Sequence, residues 1–247
     1  MLFGHQSISH YTKSNISIWM ALAFQAGMLN VGGYLACHRF VSHVTGFAAY
    51  FGIEVGEAHG LSALPMLLVP LFFLLGSSIS GLLVDLRLKL HKKPKYYITF
   101  GIVFAILLCV GIGGVMGGFG KFGESFDAPR DYILLILLCL VCGLMNGTVT
   151  TVSKSIIRTT HLTGITTDLG IGIVRYLYRK KIQDSSSQEG YANFVRVGII
   201  SFFILGSIAG AFVFTHFGYE GFFVPTMTSG ALFALMLYFQ LVRQERR

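Results

Sequence analysis

FFLLGS at residues 72–77 is written again as FFILGS at 202–207. Each copy lies in an apolar stretch, and each follows a second repeated phrase: HVTGFAAYFGI from His43 and HLTGITTDLGI from His161. Both of these obey H-x-T-G-x-x-x-x-x-G-I. Self-similarity at fixed spacing reports architecture before chemistry. It predicts a single membrane domain made of two related units, residues 1–125 and 126–247.

The composition says what kind of units these are. Of 247 residues, 53% are hydrophobic and 12% charged, with a mean hydropathy of +0.68, whereas a soluble domain carries roughly 25% charge. The class is an all-α polytopic membrane protein. Six stretches, 16–37, 64–87, 96–118, 131–152, 194–215 and 221–242, supply the roughly 20 helical residues that cross a core about 30 Å thick. The start, MLFGHQSISHYTKSN, lacks the basic run and small-residue cleavage site of a secretory signal, so the first helix is expected to remain as an anchor. Cys37, Cys109, Cys139 and Cys142 fall in or at the edges of these stretches and form no loop pair suited to a disulfide framework.

A formal charge of +8 could serve nucleic acid, but its placement argues otherwise. Arg87, Lys89, Lys92, Lys93 and Lys95 follow the second stretch; Arg175, Arg179, Lys180 and Lys181 precede the fifth; Arg243, Arg246 and Arg247 end the chain. With Lys13, Lys154, Arg158 and Arg196, one side collects 16 of the 19 basic residues. The positive-inside rule makes that side cytoplasmic, with both termini on it. The opposite side keeps Arg39, Lys121 and Arg130 among Glu54, Glu57, Glu124, Asp127, Asp131 and Glu220. Nucleic-acid binding has no further support.

The same map orients the repeats. The stretch from 64 runs outside to inside and its counterpart from 194 runs inside to outside, which defines an inverted-topology repeat. Segment 38–63 begins and ends outside, and segment 153–193 begins and ends inside. The sequence therefore predicts six transmembrane helices as a 3+3 inverted repeat, each half carrying a re-entrant H-x-T-G segment. The chain would descend in extended form, then climb back as a short helix capped by Ser42 or Thr45 in one copy and Thr160 or Thr163 in the other. Gly46 and Gly164 would permit the turn. The alternative has eight crossings, with both phrases spanning; it would make the repeats parallel, against the charges.

GLMNGTVTTVSKSIIRTTHLTGITTDLGIGI in the second half, with AGMLNVGGYLACHRFVSHVTGFAAYFGI in the first, resembles the YoaK-like bacterial transmembrane family, whose members are largely of unknown function. The resemblance covers roughly residues 17–242, and its most specific part is Arg158-Thr159-Thr160-x-x-Thr163-Gly164. It implies a small polytopic inner-membrane protein and no particular activity. The chain departs from the family pattern at Asn30, where Asp is frequent, and at Phe47, where Asn follows the first Thr-Gly.

Several residues are placed to carry chemistry. Asn30 and Asn146 each stand three residues after a glycine within a spanning stretch; singly, such amides glue helices together, and in symmetric positions they line a site. His43 and His161, with Thr45, Gly46, Thr163 and Gly164, would lie at the starts of the two short helices, where an imidazole donates to an anion or relays a proton. Asp168 follows His161 by two helical turns, making it the candidate for proton coupling; an ion pair with Arg158 or Arg175 is the plainer account. Asp85 is assigned to a local pair with Arg87 or Lys89. Cys139-Leu-Val-Cys142 reads as helix packing. Gly113-x-x-x-Gly117 and Gly114-x-x-x-Gly118 read as close-packing signals. Trp19, Tyr96, Tyr97, Tyr132 and Tyr238 read as an interfacial belt. No zinc-motif spacing or cofactor fingerprint is present, so neither metal nor cofactor is expected.

Inverted repeats with re-entrant elements build a pathway open in turn to either side. The expected function is small-solute transport. Two helix N-termini near the centre, each worth roughly half a positive charge, favour an anion or carboxylate-bearing metabolite, with proton coupling through Asp168. The alternatives are a passive channel for water or a small solute, and a non-transporting membrane scaffold. No nucleophile with an adjacent base suggests an enzyme. The expected partners are the bilayer, a small-molecule or ion substrate and a second copy in a homodimer, since the chain is the size of one half of a major-facilitator transporter.

Overall fold

A computed structural model describes residues 13–57, 60–124, 129–152, 162–179 and 186–242. Their regular structure is helical: α1 (Lys13–Cys37), α2 (Val44–Gly56), α3 (Gly60–Ser80), α4 (Tyr96–Val115), α5 (Pro129–Val152), α6 (Leu162–Leu177), α7 (Ser186–Phe217) and α8 (Phe223–Leu237). Helix α3 continues through a π turn at Gly81–Asp85 into Leu86–Lys89, and α8 through another at Tyr238–Val242. A 3-10 segment, Gly218–Phe222, joins α7 to α8.

The repeated phrase sits at the two tightest helix crossings. Helix α1 packs along α7 and α3 along α5, so the second long helix of each half lies against the first long helix of the other. A methyl group on Gly27 would collide with the Phe203 carbonyl oxygen, and one on Gly206 with that of Phe24. In the second crossing Gly143 meets the Phe73 carbonyl and Gly76 meets that of Leu140. Ser77 Oγ donates to the Gly143 carbonyl at 3.1 Å. Its counterpart Ser207 Oγ donates to Phe203 O at 3.0 Å and lies 3.5 Å from Gly27 O. The glycine and serine of FFxLGS thus recur because each copy brings two backbones together and satisfies a carbonyl there. In lipid, where apolar burial between helices gives little drive, such close approach is the main source of association.

Contact order along each pair fixes relative direction. Gly198 lies by Met20 and Gly32 by Phe214, so α1 and α7 run parallel. Gly76 lies by Leu140 and Gly147 by Ser80, so α3 and α5 also run parallel. Helix α4 meets α8 antiparallel, with Gly101 by Phe233 and Gly111 by Phe223. The short helices take separate partners: α2 packs along α3, and α6 along α7.

Among the described residues, five helical runs are long and apolar enough to cross a membrane: Asn15–Cys37, Val69–Lys89, Tyr96–Val115, Pro129–Thr151 and Glu189–Gln240. The last holds both the 194–215 and 221–242 stretches in 52 residues. A straight helix of that length would measure about 78 Å, far beyond a core of about 30 Å. The run bends instead at Gly218, whose φ of +52° suits glycine.

One end of the bundle is closed by aromatic rings. Phe122 stacks on Phe214 at 6.2 Å and meets Tyr219 edge-on at 5.1 Å, while Tyr219 Oη donates to Phe119 O at 3.1 Å. Nearby, Arg130 pairs with Glu124, and that hydrogen bond holds the Glu124 carboxyl below its ordinary range. At the opposite end Gln240 Nε2 donates to Pro94 O at 2.9 Å, and Lys95 N–H to Leu83 O at 2.9 Å. Asp85 pairs with Lys89 at 3.0 Å, one of its two expected partners.

One expectation is corrected here. Helix α4 ends at Val115, so Gly117, with φ +81°, is a turn residue. Gly113 and Gly114 pack on the rings of Phe119 and Tyr219 instead of on another helix's backbone. Trp19 and Tyr96 are buried, whereas Tyr238 is exposed. Cys139 and Cys142 are buried free thiols, as helix packing requires.

The crossings yield a stability test. Gly143→Ala should lower thermal stability by about 1–3 kcal/mol, because two backbones must separate. Gly164→Ala, with nothing within 4 Å of the new methyl, should be neutral or stabilising by up to about 1 kcal/mol. Detergent-solubilised unfolding of both variants measures the contrast.

Candidate functional site

The crossing of α3 and α5 opens, toward the end that carries the basic residues, into a cleft of about 330 Å³ lined by Ser77, Gly81, Asp85, Asn146, Gly147, Thr150 and Thr151. In the same helix pair Ser80 Oγ and Thr148 Oγ1 are 2.8 Å apart, and Thr148 Oγ1 also donates to the Leu144 carbonyl at 2.8 Å. Gly81 and Asp85 belong to the π turn of α3. Such turns break the regular hydrogen-bond ladder and frequently mark functional positions.

Asn146 is the distinctive group in this wall. Its Oδ1 is buried and has no hydrogen-bond partner among the described residues. Leaving a buried polar atom unpaired costs roughly 1–3 kcal/mol. Its counterpart Asn30, also three residues beyond a crossing glycine, is satisfied: Oδ1 accepts from Ser42 Oγ at 2.9 Å and from Ser42 N–H at 3.4 Å.

That contact describes the course of the first phrase. From Cys37 the chain turns back along α1, so that Val41 packs against Gly33 and Ser42 meets Asn30, about 10 Å back from the helix end at 1.5 Å per residue. Val41 O lies 3.3 Å from Cys139 Sγ on α5. Helix α2 then starts at Val44 with His43 in the cap position and no side-chain cap bond. Neither Ser42 nor Thr45 caps it; Ser42 is committed to Asn30, and Thr45 is already inside the helix.

The other expected site residues disperse. His43 is exposed, its ring 5.0 Å from that of Phe40; Thr45 is exposed; Gly46 N–H closes on His43 O at 3.0 Å. His161 and Thr160 lie outside the described residues. Thr163 is exposed and within α6, where its carbonyl accepts from Thr167 Oγ1 at 2.9 Å. Gly164 has open space around it. Asp168 is exposed on α6, and no ion pair joins it to a described residue. Since α2 lies on α3 and α6 on α7, the described contacts do not bring the two phrases to one centre.

Sequence reasoning passed over Ser77, Thr150 and Thr151, although the serine belongs to the repeated FFLLGS and the threonines to the polar run after Asn146. It also missed Gln25, which joins three helices: Nε2 donates to Ser229 Oγ at 2.6 Å, Oε1 accepts from Thr228 Oγ1 at 2.9 Å, and Met145 Sδ is 3.8 Å away. A third polar group, Arg196 with Glu189 at 2.7 Å and Asn193 at 2.6 Å, lies beneath Gly172 of α6. Among the described residues no group of three His, Cys, Asp or Glu side chains could hold a metal ion.

A family model described as "Protein of unknown function (DUF1275)" matches residues 18–236, and the chain belongs to that family. The match spans nearly the same residues as the sequence resemblance and carries no activity with it. No curated protein and no solved structure matches the chain.

The two asparagines should respond differently to truncation. Asn30→Ala strands the buried Ser42 hydroxyl and should cost about 1–3 kcal/mol. Asn146→Ala removes an amide with no described partner and should cost well under half as much. Parallel unfolding curves of the two purified variants decide this.

Proposed function

We propose that this member of the DUF1275 family is a small-solute transporter of the bacterial inner membrane, with the α3–α5 cleft as its solute site. The observation that carries the reading is a cleft between α3 and α5 lined by Ser77, Asp85, Asn146, Thr150 and Thr151, beside a buried Asn146 oxygen with no partner among the described residues. Polar groups at such depth are expensive and are retained where a pathway or site uses them.

The directions of the helices support a six-span 3+3 inverted repeat. With α1 parallel to α7, α3 parallel to α5 and α4 antiparallel to α8, each helix of the first half opposes its counterpart in the second. The bend at Gly218 lets the 52-residue run serve as two spans. The return of Val41 and Ser42 along α1 fits a re-entrant first segment. The basic residues at the Asp85 end would face the cytoplasm, with both termini.

The cleft itself guides solute chemistry better than the starts of the short helices, which pack against different partners. It offers an amide, three hydroxyls and the Asp85 carboxylate. These suit a small polar solute, and Asp85, not Asp168, is the carboxylate placed beside it for coupling.

Proteoliposome uptake with a broad panel of small metabolites tests the reading. Asn146→Leu should lower the initial rate about tenfold, the loss of roughly one good hydrogen bond to solute; Thr45→Ala should leave it near wild type. Unchanged flux in Asn146→Leu would move the site elsewhere. Flux that neither saturates nor responds to an imposed pH gradient would indicate a channel, and no flux of any solute would leave a scaffold.

A further inference from the structure

The exposed apolar side of α3 ends at a group of cations that the following turn holds together. We infer that the end of α3 and its turn, residues 82–95, bind an anionic phospholipid, with Lys89, Lys92 and Lys93 on the headgroup phosphate and Leu82, Leu86 and Leu90 along an acyl chain. This goes beyond the transport reading and does not depend on it.

Three observations carry the inference. The first is an apolar stripe. Leu67, Leu71 and Leu75, then Leu82, Leu86 and Leu90, are exposed, and a spacing of four residues keeps each set on one side of the helix. From Leu67 to Leu90 the chain rises about 35 Å at 1.5 Å per helical residue, slightly more than a hydrocarbon core of about 30 Å. The turn that follows therefore stands at the level of the lipid phosphates.

The second is charge. Residues 85–95 hold five cations, Arg87, Lys89, Lys92, Lys93 and Lys95, against one carboxylate, Asp85. Lys92 and Lys93 are exposed. The Lys89–Asp85 pair is open to solvent, with 74% of the lysine side chain accessible. Surface pairs of that kind are weak enough to exchange, which leaves Lys89 able to turn to a phosphate.

The third is that the turn is closed. Arg87 Nε donates to the Lys93 carbonyl at 2.7 Å, and Lys92 N–H donates back to the Arg87 carbonyl at 2.7 Å. Gln240 Nε2 holds Pro94 O, and Lys95 N–H holds Leu83 O. Between them His91 adopts a φ of +53°, a conformation that disfavours any residue but glycine. Like charges that an open loop would let spread are thus kept close, and a phosphate among them relieves the repulsion. A lone basic residue draws anionic lipid to no particular place; three cations on a fixed turn above a leucine stripe define one.

Native mass spectrometry of the full-length protein in a neutral detergent tests this. The probes are dioleoyl phosphatidylglycerol, dioleoyl phosphatidylcholine as zwitterionic control, and inorganic phosphate as the headgroup charge alone. Phosphatidylglycerol should bind saturably, at least about tenfold more tightly than phosphatidylcholine, and an equal concentration of inorganic phosphate should not displace it. Lys92→Gln with Lys93→Gln should weaken it about tenfold or more. Arg175→Gln with Arg179→Gln removes the same charge from α6 and should leave affinity within about twofold of wild type; thermal unfolding without added lipid checks that both variants keep their fold. Equal losses in the two double variants would mean attraction to net charge without a site, and would overturn the inference. Equal affinity for the two lipids, or full competition by inorganic phosphate, would overturn it too. No flux enters these measurements, so their failure leaves the transport reading standing.

Discussion

Two backbone-to-backbone crossings at glycine govern this structure. At each, a helix from one half lies so close to a helix from the other that a single methyl group would displace a carbonyl. The consequence is topological as well as local. Because the first long helix of each half crosses the second of the other, neither half completes its own packing. Both copies of FFxLGS lie at these crossings, where the two halves of the chain meet most closely.

The frame is symmetric, but what surrounds it is not. Five residues beyond the crossing glycine, the α1–α7 pair is sealed by the Phe214 ring over Gly32. At the same step in the α3–α5 pair stands Thr148, hydrogen-bonded to Ser80, and the polar cleft adjoins it. One crossing is closed by an aromatic ring and by the chain's own Ser42. The other carries hydroxyls, a π turn and an amide without a described partner. Two crossings of the same kind thus differ in the side chains around them: one is closed by a ring, and the other has hydroxyls and a cleft beside it.

This explains how much was legible in sequence. Apolar length showed which stretches are helices, and FFLLGS with FFILGS showed that the halves are related, because glycine at a crossing cannot be replaced cheaply. The contact of Ser42 with Asn30 was not readable, since flank charges say only on which side a segment begins and ends. Nor was the cleft. It depends on the register between α3 and α5 and on a π turn, neither of which has a side-chain pattern of its own. The His and Thr-Gly positions drew notice because they repeat, yet repetition marked local chain geometry: His43 sits at the start of a helix whose partner is α3, and Asp168 on one whose partner is α7. The glycine pairs after 113 misled for a related reason, because the spacing of a packing motif continues past Val115, where the helix itself stops.

The rigidity of the crossings bears on why an unsatisfied amide is tolerated. A buried acceptor without a donor costs roughly 1–3 kcal/mol, and a flexible wall would relax until some neighbour paid it. Here relaxation is blocked. Gly143 and Gly76 hold α5 and α3 at their limit of approach, Ser77 is engaged with the Gly143 carbonyl, and Ser80 with Thr148. The Ser77 and Ser80 hydroxyls are thus committed to other bonds, and the wall around Asn146 has little room to rearrange. The cost of the unpaired acceptor therefore falls on folding.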